Sequence, residues 1–363
     1  MNVKIDVTMK KYLFSLFFTL GFFSFAFPQK VLWKANVHSF FDNTEFTDSE
    51  VQTAQTMAGV HLAPEIGLSW QQNHRIFAGV DLLHEFGSDK AVDYYNPIVY
   101  YEYSKNPFRF YMGAIPRKII LNTYPRMFFS DSINNYRPTV NGFFWEIKKK
   151  NNYANIWLDW TGKQSEEKNE AFFMGWSGRY NHRIFYARHS GYMFHYARKE
   201  NALPDEFVHD NGLLLTSAGL DFSSITGLEK LEIDAGWSIA LDRNRGIGIW
   251  NKPQGFVSEA KVEYRGLGLF NTFYLGEKQQ TYFNEYGNKL YWGDSFYRLK
   301  QYNRTDIYIQ FIKREAIDVK FTASFHFAEE DVYFQQALYA SFALDNLKKK
   351  KEKKYRYLWA GWF

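Results

Sequence analysis

Apolar and polar residues alternate one by one over most of the chain. Successive side chains of a strand point to opposite faces, so this period of two predicts strands. In residues 231–242, Leu231, Ile233, Ala235, Trp237, Ile239 and Leu241 share one face. Glu232, Asp234, Gly236, Ser238, Ala240 and Asp242 share the other. In residues 56–70, Ala58, Val60, Leu62, Ile66, Leu68 and Trp70 oppose Gly59, His61, Glu65, Gly67 and Ser69. Residues 256–265, 318–327 and 332–345 repeat the pattern. Sixteen such segments are predicted, near 30–41, 54–70, 75–86, 93–104, 107–118, 138–149, 152–160, 170–180, 183–197, 213–223, 230–242, 255–265, 266–276, 303–313, 317–327 and 332–345.

The connections alternate in length. Those at 71–74, 105–106, 149–151, 181–182 and 314–317 are short; those at 43–53, 119–137, 161–169, 198–212, 243–254 and 277–302 are mostly long, and 328–331 breaks the trend. A soluble β-sandwich also alternates, but its strands are usually ~5–6 residues, shorter than these. A barrel in a membrane needs ~9–11 residues per tilted strand, with short turns at one rim and long loops at the other. The pattern therefore predicts an all-β fold, a transmembrane antiparallel up-and-down β-barrel of about sixteen strands. Closure also removes strand edges, which lipid cannot satisfy.

Composition sharpens this picture. Of 363 residues, 36 are Phe, 26 Tyr and 11 Trp, and aromatics make up 20%. That excludes disorder and suits the aromatic belts of a membrane protein. Cysteine is absent, which excludes a disulfide framework and thiolate metal sites. Residues 1–11 carry Lys4, Lys10 and Lys11, followed by an apolar run from Tyr12 to Phe27 with Ser24 and Ala26 two apart. This reads as a signal peptide spanning 1–26, cleaved after Ala26; the run is short for a spanning helix. The net charge of +5 comes from the ends. The leader holds three Lys against Asp6, and the stretch 348–356 holds six Lys and Arg356 against Glu352. The body, residues 27–345 as one barrel domain, is left slightly acidic, so the basic balance is no argument for nucleic acid. Residues 346–363 form a basic, aromatic tail or a closing strand. Tyr355, Tyr357, Trp359 and Phe363 share one parity, but a closing strand would make the count seventeen, and bacterial barrels prefer even numbers.

If lipid takes the apolar parity, the other lines a lumen. It carries Glu65, Arg75, Asp81, Arg109, Glu146, Asp159, Glu232, Asp234, Glu259 and Lys261. Burying these dry costs several kcal/mol each unless they pair, and about sixteen strands leave room for water. The expected function is diffusion of small polar solutes, sugars among them, through the pore. The alternative is a non-conducting barrel serving assembly, export or surface interaction. Inward Tyr111, Trp157, Tyr308, Tyr333 and Tyr339 would stack on sugar rings or simply fill space.

The alternation, the aromatic surplus and phrasing such as Trp157-Leu158-Asp159-Trp160 resemble Gram-negative outer-membrane porin-like barrels of the Bacteroidetes type, over residues 28–345. The resemblance implies an outer-membrane location, lipid as partner and compatibility with a homo-oligomer. It also implies that the loop between strands five and six folds inward and constricts the pore. Here that loop is too apolar to face water, with Ile119, Ile120, Leu121, Met127, Phe128, Phe129 and Ile133. The acidic-glycine motif usual there is missing, so only the position carries over. Arg117, Arg126, Asp131 and Arg137 would then form a charged eyelet that filters by size and charge.

Catalytic patterns are weak. His209-Asp210 is the kind of pair that activates water, but it sits in a long loop and such pairs are common by chance. Gly175-Trp176-Ser177-Gly178 lacks the strand-to-helix setting of a nucleophile elbow. Gly246-Ile247-Gly248 has no βαβ unit around it. His61 and Glu65 stand four apart on one face, too far to touch in an extended chain. The nine histidines form no metal-ligand spacing. The expectation is a protein that is not an enzyme, with no cofactor and no metal.

Overall fold

The computed structural model describes residues 30–121, 123–204, 206–347 and 357–358. The leader and residues 348–356 and 359–363, on which the signal-peptide and tail-or-closing-strand readings rest, lie outside the described residues. Each predicted alternation becomes a strand. In order these are β1 (Lys30–Glu45), β2 (Gln55–Trp70), β3 (His74–Glu85), β4 (Tyr94–Lys105), β5 (Phe108–Pro116), β6 (Thr139–Lys149), β7 (Asn152–Gly162), β8 (Ala171–His182) and β9 (Phe185–Tyr196). There follow β10 (His209–Asp221), β11 (Lys230–Asn244), the two-residue β12 (Trp250–Asn251), β13 (Gln254–Tyr264), β14 (Leu267–Gly276), β15 (Gln301–Lys313), β16 (Ile317–Ala328) and β17 (Asp331–Asp345). Apart from β12, an edge piece on β11, the strands pair antiparallel with their sequence neighbours, and β17 pairs with β1. The result is a closed antiparallel barrel of sixteen strands. Boundaries shift by a few residues; at two that bear on the site, β10 begins at His209 rather than 213, and β5 ends at Pro116 rather than 118. Pairing with a longer partner extends the first, and the inward turn of the chain ends the second.

Period two sets what each face meets. Ile66 is 63% exposed, and Ile233 and Trp237 are also exposed, on the outer wall. Their strand neighbours Glu65, Asp234 and Ser238 are buried inside. Among the described residues no helix is long and apolar enough to cross a membrane; the crossing is made by strands. Short connections gather at one rim. At Arg265-Gly266 both residues have positive φ (47° and 91°), as do Gln71 and Gln72 (48° and 63°). Such turns match the right-handed twist of a hairpin. In a bacterial barrel the short-turn rim faces the periplasm and the long loops face outside.

Candidate functional site

Two long connections fold into the lumen and meet. Residues 117–138 bury Ile120, Leu121, Met127, Phe128 and Phe129 against inward Phe144, Trp157, Phe173, Tyr192 and Phe194. Residues 277–300 bury Leu290, Tyr291, Trp292, Phe296 and Tyr297 in the same cluster. Their backbones bond: Ser130 donates to the Trp292 carbonyl at 2.8 Å, and Asp294 to the Arg126 carbonyl at 2.9 Å. Gly293 permits this approach, because a Cβ there would lie 2.0 Å from the Met127 carbonyl oxygen. Around the two loops the lumen is thus a packed aromatic core, where the sequence reading expects water. Trp157 and Tyr111 are buried fillers of that core. Trp157 donates to the Tyr124 hydroxyl at 2.8 Å, which ties the first loop to the wall. The second loop was missed because residues 277–302 read as an ordinary outer loop; its run of Leu290, Tyr291, Trp292, Phe296 and Tyr297 was the available signal.

Of the four eyelet residues, Arg117 is 2% exposed and bonds Asp159 at 2.7 Å and the Thr139 carbonyl at 2.8 Å. It anchors the loop root rather than facing a passage. Arg126 pairs with Asp131 and with Asp306 of β15, both at 2.8 Å. Arg304 joins them, 2.7 Å from Asp306, 3.4 Å from Asp131 and 3.8 Å from Asp294 of the second loop. Arg137 lies over the Trp292 ring, 5.1 Å from its centroid. Burial works against the Asp131 carboxylate, but the Arg126 and Arg304 guanidiniums outweigh it and hold its pKa below the ordinary range.

The charged wall residues find ionic or hydrogen-bonding partners, as the cost of burying lone charges demands. Glu65 meets Lys34 at 3.2 Å, Arg75 meets Glu102 at 2.9 Å, and Asp81 meets His61 at 2.6 Å. Arg109 meets Glu146, and Arg117 meets Asp159. Glu232 meets Arg179, Arg188 bridges Asp234 and Glu259, and Lys261 meets Glu263. Among the described residues, two spaces lie beside the first loop. One of about 460 Å³ is lined by Tyr124, Arg126, Arg188, Glu232, Asp234 and Lys261 among others. The other, of about 310 Å³, lies between the first loop and β1–β3.

The outer wall carries a different arrangement near the long-loop rim. The strand register aligns Trp160, Phe172, His195, Asp210 and Arg243 in one row across β7, β8, β9, β10 and β11. Trp160 and Phe172 stack at 5.0 Å, and Phe172 packs on the His195 ring at 5.1 Å. His195 Nδ1 lies 3.3 Å from Asp210 Oδ1. Arg245 grips the same carboxylate with Nε and Nη2 at 2.7 and 2.8 Å. The His195 side chain is 25% exposed. The neighbour in sequence, His209, points inward and packs on Tyr286 at 4.2 Å. His209-Asp210 is therefore no pair, because adjacent strand residues face opposite ways. The true partner of Asp210 lies across a hairpin. A second outward pair, His84 and Asp93, is looser at 3.8 Å, with His84 Nδ1 held 3.0 Å from the Lys90 carbonyl.

Comparison with known proteins gives three findings. The sequence model of a family described as lipid A 3′-O-deacylase-type matches residues 27–351. A search of curated proteins finds no match. Among solved structures, the chain is similar in fold to a loop-deletion form of OmpT, an outer membrane protein of Vibrio cholerae. The TM-score is 0.54 and the identity 8%, over 87% of this chain and 99% of that one. It is similar to an anion-selective porin from Comamonas acidovorans, with TM-score 0.50 and 11% identity, over 88% and 100%. These likenesses bear out the barrel fold, and together with the family match they bear out the outer-membrane location. The expectation of a protein that is not an enzyme is corrected: the matched family takes its description from the removal of an acyl group.

Proposed function

Because the chain belongs to the lipid A 3′-O-deacylase-type family, we propose that it is an outer-membrane hydrolase that removes an ester-linked acyl chain from lipid A at the row Trp160–Phe172–His195–Asp210. The observation that carries this reading is the outward, partly exposed His195 with Asp210 behind it. A substrate anchored in the outer leaflet meets the outer wall near the long-loop rim, not the lumen. Asp210 accepts a hydrogen bond from His195 Nδ1–H, which leaves the Nε2 lone pair as the base, and Arg245 fixes the carboxylate. His195 takes a proton from water, the oxygen attacks the ester carbonyl carbon, and the carbon–oxygen bond to the sugar breaks. The proton passes to the sugar oxygen, giving a free hydroxyl and a fatty acid. Trp160 and Phe172 supply an apolar surface beside the base for the acyl chain. General base catalysis contributes about 10²–10⁴-fold. Hydrolysis of a chromogenic acyl ester by the folded protein should fall by that order in both His195→Ala and Asp210→Asn. Unchanged rates in both variants would place the base elsewhere.

A second reading concerns the lumen. The space of about 460 Å³, bounded by paired charges, favours passage of small polar solutes, with Arg126 and Asp131 at the narrow point. The two activities use opposite faces of the wall and are compatible. Planar-bilayer conductance tests this one: discrete steps support it, and a silent bilayer with folded barrel opposes it.

A further inference from the structure

The space of about 310 Å³ between the first inward loop and β1–β3 has features that neither reading uses. Its apolar lining includes Ala63, Ile98, Pro116 and Ile119, and its volume falls at the lower end for small-molecule sites, roughly 300–1,000 Å³. Two polar groups in it are unspent. His61 is 4% exposed, and its Nε2 is buried without a hydrogen-bond partner. Its Nδ1 is only 2.6 Å from Asp81 Oδ1. The Asp81 carboxylate accepts a hydrogen bond from Nδ1–H, the tautomer that leaves Nε2 with a lone pair and makes it an acceptor. The second group is Lys118, on the loop side of the same space. Among the described residues it has no ion pair or hydrogen bond; it is exposed and lines the space. The other ionisable groups there are engaged: Lys34 with Glu65 at 3.2 Å, and His38 with the Ser341 hydroxyl at 2.8 Å.

An acceptor, a cation and an apolar surface specify complementary chemistry: a hydroxyl to donate, a carboxylate to pair, and a short carbon body. We propose that this space is a binding site for a small hydroxy acid, with its hydroxyl on His61 Nε2, its carboxylate on Lys118, and its carbons against Ile98, Pro116 and Ile119. The site lies inside the barrel, so it stands independently of the outer-wall hydrolase.

The test is titration of the detergent-folded protein with 3-hydroxybutyrate, read by saturation-transfer difference NMR. Butyrate lacks the hydroxyl and 1,3-butanediol lacks the carboxylate. Saturable binding of 3-hydroxybutyrate is expected, with each comparator weaker by about tenfold, the equivalent of one 1.4 kcal/mol interaction. Lys118→Met should bring 3-hydroxybutyrate down to the level of the diol. Ile119→Trp, which fills the space from the loop side, should abolish binding while the heat-modifiable gel shift of the folded barrel persists. Equal binding of acid and hydroxy acid, binding that survives both variants, or no saturable binding in the parent protein would each overturn the proposal.

Discussion

Asp210 shows how little a residue's sequence neighbours say about its chemistry in a barrel. It follows His209, yet the strand pleat sends the two to opposite sides of the wall. His195, fifteen positions earlier, is its partner. Alternation told which residues face out, but register depends on loop length to the residue, and the boundaries of 198–212 were too loose to give it. The inward charges were legible one by one for the same reason: parity alone places Glu65, Asp81, Glu146 and Asp234. Their partners again needed register. Three substitutions test this scale. Replacing Arg117 by Met leaves Asp159 buried and unpaired, which costs about 3–5 kcal/mol; refolding titrations in urea should show the loss. Gly175 lies under the Trp157 ring, where a Cβ would come within 2.1 Å of it. Gly175→Val should cost about 1–3 kcal/mol by overpacking, read by the same titration, whereas Gly227→Ala, where nothing lies within 4 Å of the new Cβ, should not.

At the scale of elements, the two inward loops form a clasp. Arg126 and Asp131 of the first loop meet Asp306 and Arg304 of the wall, and Arg304 reaches Asp294 of the second loop. The first loop was legible because its apolar residues cannot rest in water, and its inward fold follows. The second was not, since its aromatics are diluted by polar residues. Asp131 titrates below the ordinary carboxylate range because Arg126 and Arg304 outweigh its burial. Its contribution to the clasp is therefore complete above the ordinary carboxylate pKa and is lost as pH falls through the depressed value. Tryptophan fluorescence, reporting Trp292 and Trp157, should change reversibly in that acid window. Asp131→Asn should abolish the change. A pH response identical in the variant would show that the clasp is not held by this carboxylate. Gly293→Val should part the loops at the Met127 contact, and bilayer conductance should then exceed that of the parent; equal conductance would mean that the loops do not limit flow.

On the scale of the whole molecule, closure between β1 and β17 leaves an apolar outer band for lipid and a polar, paired interior. The barrel was legible throughout, because period two, strand length and loop asymmetry all derive from one constraint: backbone groups in lipid must be paired. Function was not, because a sixteen-stranded wall has two faces that can work, and the same alternation describes both. The proposed hydrolysis takes place on the outer face. The most direct test is the mass spectrum of lipid A after incubation with the folded protein in mixed micelles. The predicted result is loss of one acyl chain with the parent protein and intact lipid A with His195→Ala. Intact lipid A with the parent protein, or equal loss with the variant, would contradict the account.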